Sequence, residues 1–117
     1  MLDNAISHAP GNYKLYVEDG ILTEHVKVAV HTTSYWSDFV FNKNYKLMPL
    51  NKVEEYVKAN KHLPGVPSAQ EVVDDGGIDL GSMDAKLLQK VEELTPYVIQ
   101  QQKQIDELQK KLEEKIK

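Results

Sequence analysis

The feature that most constrains this chain is a heptad seam running through its carboxyl-terminal end. With Leu87 at d, the a positions are Asp84, Val91, Val98, Ile105 and Leu112, and the d positions are Leu87, Leu94, Gln101, Leu108 and Lys115. The 4-3-4-3 spacing is unbroken from Leu87 to Leu112, with Gln101 as one polar layer. A repeat of about 3.5 residues predicts a helix from Ser82 to Lys117 that winds left-handed around partners. Charges on the outer face agree: Asp106 with Lys110, Glu107 with Lys111 and Glu113 with Lys117 each set an acid one turn before a base.

Such a helix is too long to be private. At about 1.5 Å per residue it reaches roughly 50 Å, whereas a compact body made of the remaining residues would be about 25–30 Å across. The last turns must project, and an unpartnered leucine stripe would stand in water. Burying each Leu, Ile or Val is worth about 1.5–3 kcal/mol, which favours self-association. The residues expected to carry it are Leu87, Val91, Leu94, Val98, Gln101, Ile105, Leu108 and Leu112. The alternatives are a solvated helix or one that binds a different protein. Val and Ile at a with Leu at d favour a parallel dimer. The e row (Thr95, Gln102, Gln109) and the g row (Lys90, Tyr97, Gln104, Lys111) offer little complementary charge, so Gln101 is expected to fix register. Dimer and trimer both stay open on the heptads. Pro96 falls at f, outside the seam. Because the phase runs through it, one kinked helix is preferred to two helices separated at Thr95.

Composition mainly excludes. The chain has 117 residues, enough for one small domain and an appendage. A net charge of -4 with no basic patch argues against nucleic acid as a partner. Cysteine is absent, which removes disulfides, thiolate zinc ligands and a thiol nucleophile. No run is long and apolar enough for membrane insertion, and the amino terminus lacks the pattern of a signal peptide. Work outside the cell would need another export route or a longer parent chain. His8, His25, His31 and His62 show no metal-ligand spacing, although a symmetry axis could gather copies of one of them. Asp74, Asp75 and Asp79 near Gly76-Gly77 do not have calcium-loop spacing. No phosphate loop, Ser-His-Asp set or zinc-binding helix is present. No cofactor and no metal is expected.

Ahead of the long helix the chain reads as α+β. Residues 1–11 close on Ala9-Pro10-Gly11, a turn signal, and look like the cut end of a longer protein with Met1 as an added start. Residues 12–31 alternate around Asp19-Gly20, which predicts a β-hairpin with Tyr13, Leu15, Val17, Leu22, Val26, Val28 and Val30 on its dry face. Residues 32–48 hold Tyr35, Trp36, Phe39, Phe41 and Tyr45, expected to form the small domain's core, with a stacking platform for sugars or bases as the other reading. Residues 49–60 predict a helix with Leu50, Val53, Tyr56 and Val57 on one face. A rigid connector follows, from Lys61 to Ser68, with two prolines and a glycine. Ser68 and Glu71 form a capping box for a short helix over residues 69–74, ended by Gly76-Gly77, and Ser82 is the expected cap of the long helix. The resulting division is a β stem over 1–31, a small α+β domain over 32–81 and a coiled-coil helix over 82–117.

The order of these parts resembles the carboxyl-terminal, intramolecular-chaperone domain of phage tail fibres and related bacterial surface fibres. The segments "YKLYVEDGILTEHVKV", "YVKANKHLPGVPSAQEV", "IDLGSM" and "LLQKVEELT" carry the likeness, which spans about residues 12–112 and is most specific from Asn60 to Ser68 with Glu71. The resemblance implies a homotrimer, a folding and trimerisation module of a fibre or adhesin, and an extracellular place on a virion tail or cell surface. Early alignment by a coiled coil would help a β-rich stem, whose contacts are long in sequence and slow to form. A receptor- or glycan-binding tip is the alternative role, with Tyr35 and Trp36 as candidates. Some members of the wider family cut themselves before the serine of a Ser-Asp motif, which makes Ser37 and Asp38 the candidate catalytic pair. A serine needs a base to act as nucleophile. The family's Arg-Leu-Lys run after Ser-Asp is replaced here by Phe39-Val40-Phe41, so a non-enzymatic module is expected.

Overall fold

The computed structural model describes residues 11–116, which are all-helical, with no strand among them. Two short 3-10 turns, Thr33–Tyr35 and Ser37–Phe41, precede α1 (Leu50–Asn60), α2 (Ala69–Asp74) and α3 (Leu80–Ile116). The α+β expectation is therefore corrected: the amino-terminal hairpin does not form. Its turn survives only as a bend with no backbone hydrogen bond across it. Asp19 has φ 72° and Gly20 φ 111°, the left-handed pair that a tight hairpin turn needs. The flanking residues make no ladder, and Tyr13, Leu15, Leu22 and Val26 of the predicted dry face are exposed. Two strands alone are marginal in water unless one face meets an apolar surface, and among the described residues only the Val28 end of the segment lies against the start of α3, beside Gly81. The turn at Ala9-Pro10, His8 and the start at Met1 lie outside the described residues, as does Lys117.

The helices follow their local signals. Pro49 caps α1, and the chain leaves it through Lys61 in the left-handed region at φ 64°. The predicted capping box opens α2: the Glu71 N–H donates to Ser68 Oγ and the Ser68 N–H to Glu71 Oε1, each at 3.1 Å. At its other end the Gly77 N–H reaches the Val72 carbonyl at 3.0 Å and the Gly76 N–H the Val73 carbonyl at 3.1 Å. This Schellman closure puts Gly76 at φ 83°, a conformation that a Cβ disfavours. Helix α3 starts at Leu80, ahead of the expected Ser82, because Asp79 is the cap: its Oδ1 accepts the Ser82 N–H at 2.9 Å. The helix runs through Pro96 unbroken. The expected ion pair at Asp106 is replaced by a 2.9 Å hydrogen bond from Gln102 Nε2. Exposed pairs contribute only about 0–1 kcal/mol, too little to hold two long side chains in one geometry.

The chain measures 77 × 31 × 28 Å. Its long axis follows α3, and every described residue from Val98 onward is exposed. The rest wraps the first half of α3 as a small body. Among the described residues its buried side chains are Ser37 at 1%, Val40 at 6% and Tyr97 at 9% exposure. The aromatic cluster expected to be the core is not one within a single chain. Tyr35 is 69% and Trp36 41% exposed, with Phe39 and Phe41 also in solvent. The packing partner of this segment is α3 itself, and small or tucked residues, Ser37 and Val40, make the close approach.

Candidate self-association surface

Helix α3 carries two different faces along its first half. The body straddles the side opposite the seam. On one flank the turn Ser37–Phe41 lies on α3, and the Ser37 hydroxyl donates to the Ala85 carbonyl. On the other flank the Tyr45 hydroxyl donates to Glu93 Oε2, Gln89 Nε2 donates to that same hydroxyl at 3.1 Å, and Tyr97 Oη donates to the Met48 carbonyl at 2.5 Å. Burial pushes both phenols above the ordinary tyrosine range, with the Glu93 carboxylate adding to it. Lys90 Nζ closes the cluster 3.0 Å from Glu93 Oε1, and both side chains are largely covered. Side chain-to-main chain bonds such as those of Ser37 and Tyr97 fix where α3 meets the body, since each buried partner left unmade would cost about 1–3 kcal/mol.

The seam points the other way. Leu87, Val91, Leu94, Val98, Ile105, Leu108 and Leu112 are each 53–65% exposed, and Gln101 is exposed among them. The body covers b, c, f and g positions and leaves a and d bare. This geometry is compatible with a coiled-coil strand, and an apolar stripe of this length is unusual on a surface that meets only water. It is unusual because the same helix buries polar side chains, Gln89, Lys90, Glu92 and Glu93, against its own chain.

The other sequence candidates lie elsewhere. Ser37 is buried and its hydroxyl is bonded to Ala85, while Asp38 in the same turn faces Glu92 of α3. Tyr35 and Trp36 stand at the surface beside them. Sequence reasoning missed Tyr97, Ala85 and Glu93 as the residues that hold the body. The signal was available: off-seam positions up to Ile99 include Ala85, Leu88, Pro96 and Tyr97, whereas beyond Gln100 they are nearly all Gln, Lys, Glu or Asp. Among the described residues no group of His, Asp and Glu could hold a metal ion, and no helix is long and apolar enough to cross a membrane. Comparison with protein-family models, with curated proteins and with solved structures gave no match in any of the three.

Glu92 gives a pH prediction. Its Oε2 is buried with no hydrogen-bond partner. Burial, and then the charge and hydrogen bonding of Asp38, push its carboxyl above the ordinary range. A raised acid in the folded state stabilises fully below the ordinary glutamate pKa, and that contribution is lost as pH rises through the raised value. Glu71 has the opposite sign: the Ser68 N–H lowers its pKa, so the Glu71 half of the capping box weakens on acidification. Comparing Glu92→Gln with the parent isolates the first effect. The variant is expected to be the more stable at neutral pH, with the gap closing as pH falls through the raised value toward the ordinary glutamate range in urea titrations. A gap independent of pH would show that Glu92 is not the group responsible.

Proposed function

We propose that this chain is a non-enzymatic self-association module, the carboxyl-terminal trimerisation and folding domain of a tail fibre or cell-surface fibre. The observation that carries the reading is the division of α3: the chain's own body covers the outer face and the whole a/d seam stays bare. Three copies would bury the seam along a common axis with the bodies outside, and the free ends from Val98 to Ile116 would form the most local and fastest-forming contacts. The resemblance to fibre chaperone domains supports three strands and an extracellular setting, whereas the a/d residues by themselves favour two. The test is the solution mass of the full chain and of a chain ending at Ile99, which keeps Tyr97 and the body. A trimer that dissociates on truncation is expected. A two-chain mass would replace the stoichiometry, and a monodisperse monomer at micromolar concentration would overturn the reading.

A second reading is favoured by one specific observation. Tyr35 and Trp36 stand exposed on the body, where aromatic rings can stack on a sugar face. A receptor-binding tip of this kind is compatible with assembly through α3. Quenching or a shift of the single tryptophan's fluorescence on adding a surface polysaccharide would support it, and an unchanged spectrum would count against it.

A further inference from the structure

Between α1, the connector and α3 lies a groove of about 360 Å³ whose walls are mainly apolar, Leu50, Leu63, Pro64 and Leu94 among them. Leu94 belongs to this groove and is also a d residue of the seam, so the two surfaces are continuous. The floor is made by Lys90 and Tyr97, both at g. In a parallel coiled coil the g row of one strand faces the e row of its neighbour. Here those g residues cannot reach across: Lys90 is held by Glu93 at 3.0 Å and Tyr97 by the Met48 carbonyl at 2.5 Å. The facing e residues, Thr95 and Gln102, are uncharged and exposed. The usual ionic means of setting partner and register is therefore missing on both sides. The groove occupies the place where it would act, and it is too small for a helix of about 10–12 Å diameter.

From this continuity we infer that the groove is an intersubunit joint, closed by the e flank of a second copy, with Thr95 and Gln102 seated against the Leu63-Pro64 rim. The inference rests on the self-association reading. Each body then touches two helices, its own and the neighbour's, and it sets orientation and register in the absence of charge pairing. Antiparallel or out-of-register pairing leaves the rim facing a different row. This assigns the helical body a role in assembly beyond decoration.

The test is sedimentation equilibrium of the full chain with Leu63→Lys, Thr95→Glu and the two combined, alongside Lys58→Glu on the exposed side of α1 as control. Circular dichroism and Tyr97 environment by near-ultraviolet absorption check that each body is folded. Thr95 is exposed and its hydroxyl bonds within α3, to the Val91 carbonyl at 3.5 Å, so its variant tests the joint even if Leu63→Lys disturbs the fold. Each single variant is expected to weaken association about tenfold, because a charge is placed in a closed apolar joint. The combined variant is expected to recover most of the loss, and the control to match the parent. An associating parent whose Thr95→Glu variant binds within about twofold of it, or whose combined variant is merely additive, overturns the joint alone. A monomeric parent overturns the self-association reading, and the joint with it.

Discussion

A single lysine at Ile105 is expected to take the assembly apart while leaving the individual chain as it was. Ile105 is an a residue, 55% exposed, in the half of α3 that its own body does not reach. In one chain the substitution is a surface change, normally within about 0.5 kcal/mol, and lysine is at least as good a helix former as isoleucine. In an assembled seam every copy would bring an ammonium into the same layer. Uncompensated burial of an ion costs several kcal/mol, and neighbouring copies repel, so association should fall more than about a hundredfold. Sedimentation equilibrium reads the loss, and circular dichroism reads the preserved helix. Lys103→Glu, on the outer f row of the same stretch, is the matched control and should behave as the parent. An Ile105→Lys chain that associates like the parent would show that the seam is not the contact surface.

The difference between what the residues announced and what the chain does follows the range of the interactions involved. The Ser68–Glu71 box, the closure at Gly76-Gly77, the span of α1 and the continuity of α3 through Pro96 depend on neighbours within a turn or two. These were legible. The same holds for the left-handed φ values at Asp19-Gly20, which the dipeptide favours. The strands on either side of it were not legible in the same sense, because pairing them requires a distant apolar surface that alternation cannot supply. The aromatic segment failed as a predicted core for a related reason. Composition says that rings at Tyr35, Trp36, Phe39 and Phe41 need cover, but not that α3 would accept the smaller Ser37 and Val40 instead. Tyr97 was read as a flank of the seam from its heptad letter. It is the anchor of the body, because its ring is buried on the g side of α3 and its hydroxyl holds the Met48 carbonyl.

The body's hold on α3 leads to the second large effect. Tyr97→Ala should release the body from the helix without dissolving the seam. Tyr97 is 9% exposed, its ring forms part of the groove with Leu50 and Leu63, and its hydroxyl holds the Met48 carbonyl at 2.5 Å. Truncating a buried aromatic ring to alanine costs about 3–5 kcal/mol, a large share of the stability available to a body this small. The helix loses nothing locally, since alanine is the best helix former. Hydrogen exchange should therefore accelerate across α1 and the turn Ser37–Phe41 while amides from Gln101 to Leu112 keep their protection. Tyr97→Phe separates the two contributions: it keeps the ring and removes only the hydrogen bond to the carbonyl of exposed Met48, a net effect of about 0.5–1.5 kcal/mol. A graded order, alanine well below phenylalanine and phenylalanine below the parent, is expected for the protection of α1. If Tyr97→Ala leaves that protection unchanged, the body is held by Ser37 and Tyr45 alone. If it also abolishes association, the two faces of α3 are not independent, and the seam needs the body in place to form at all.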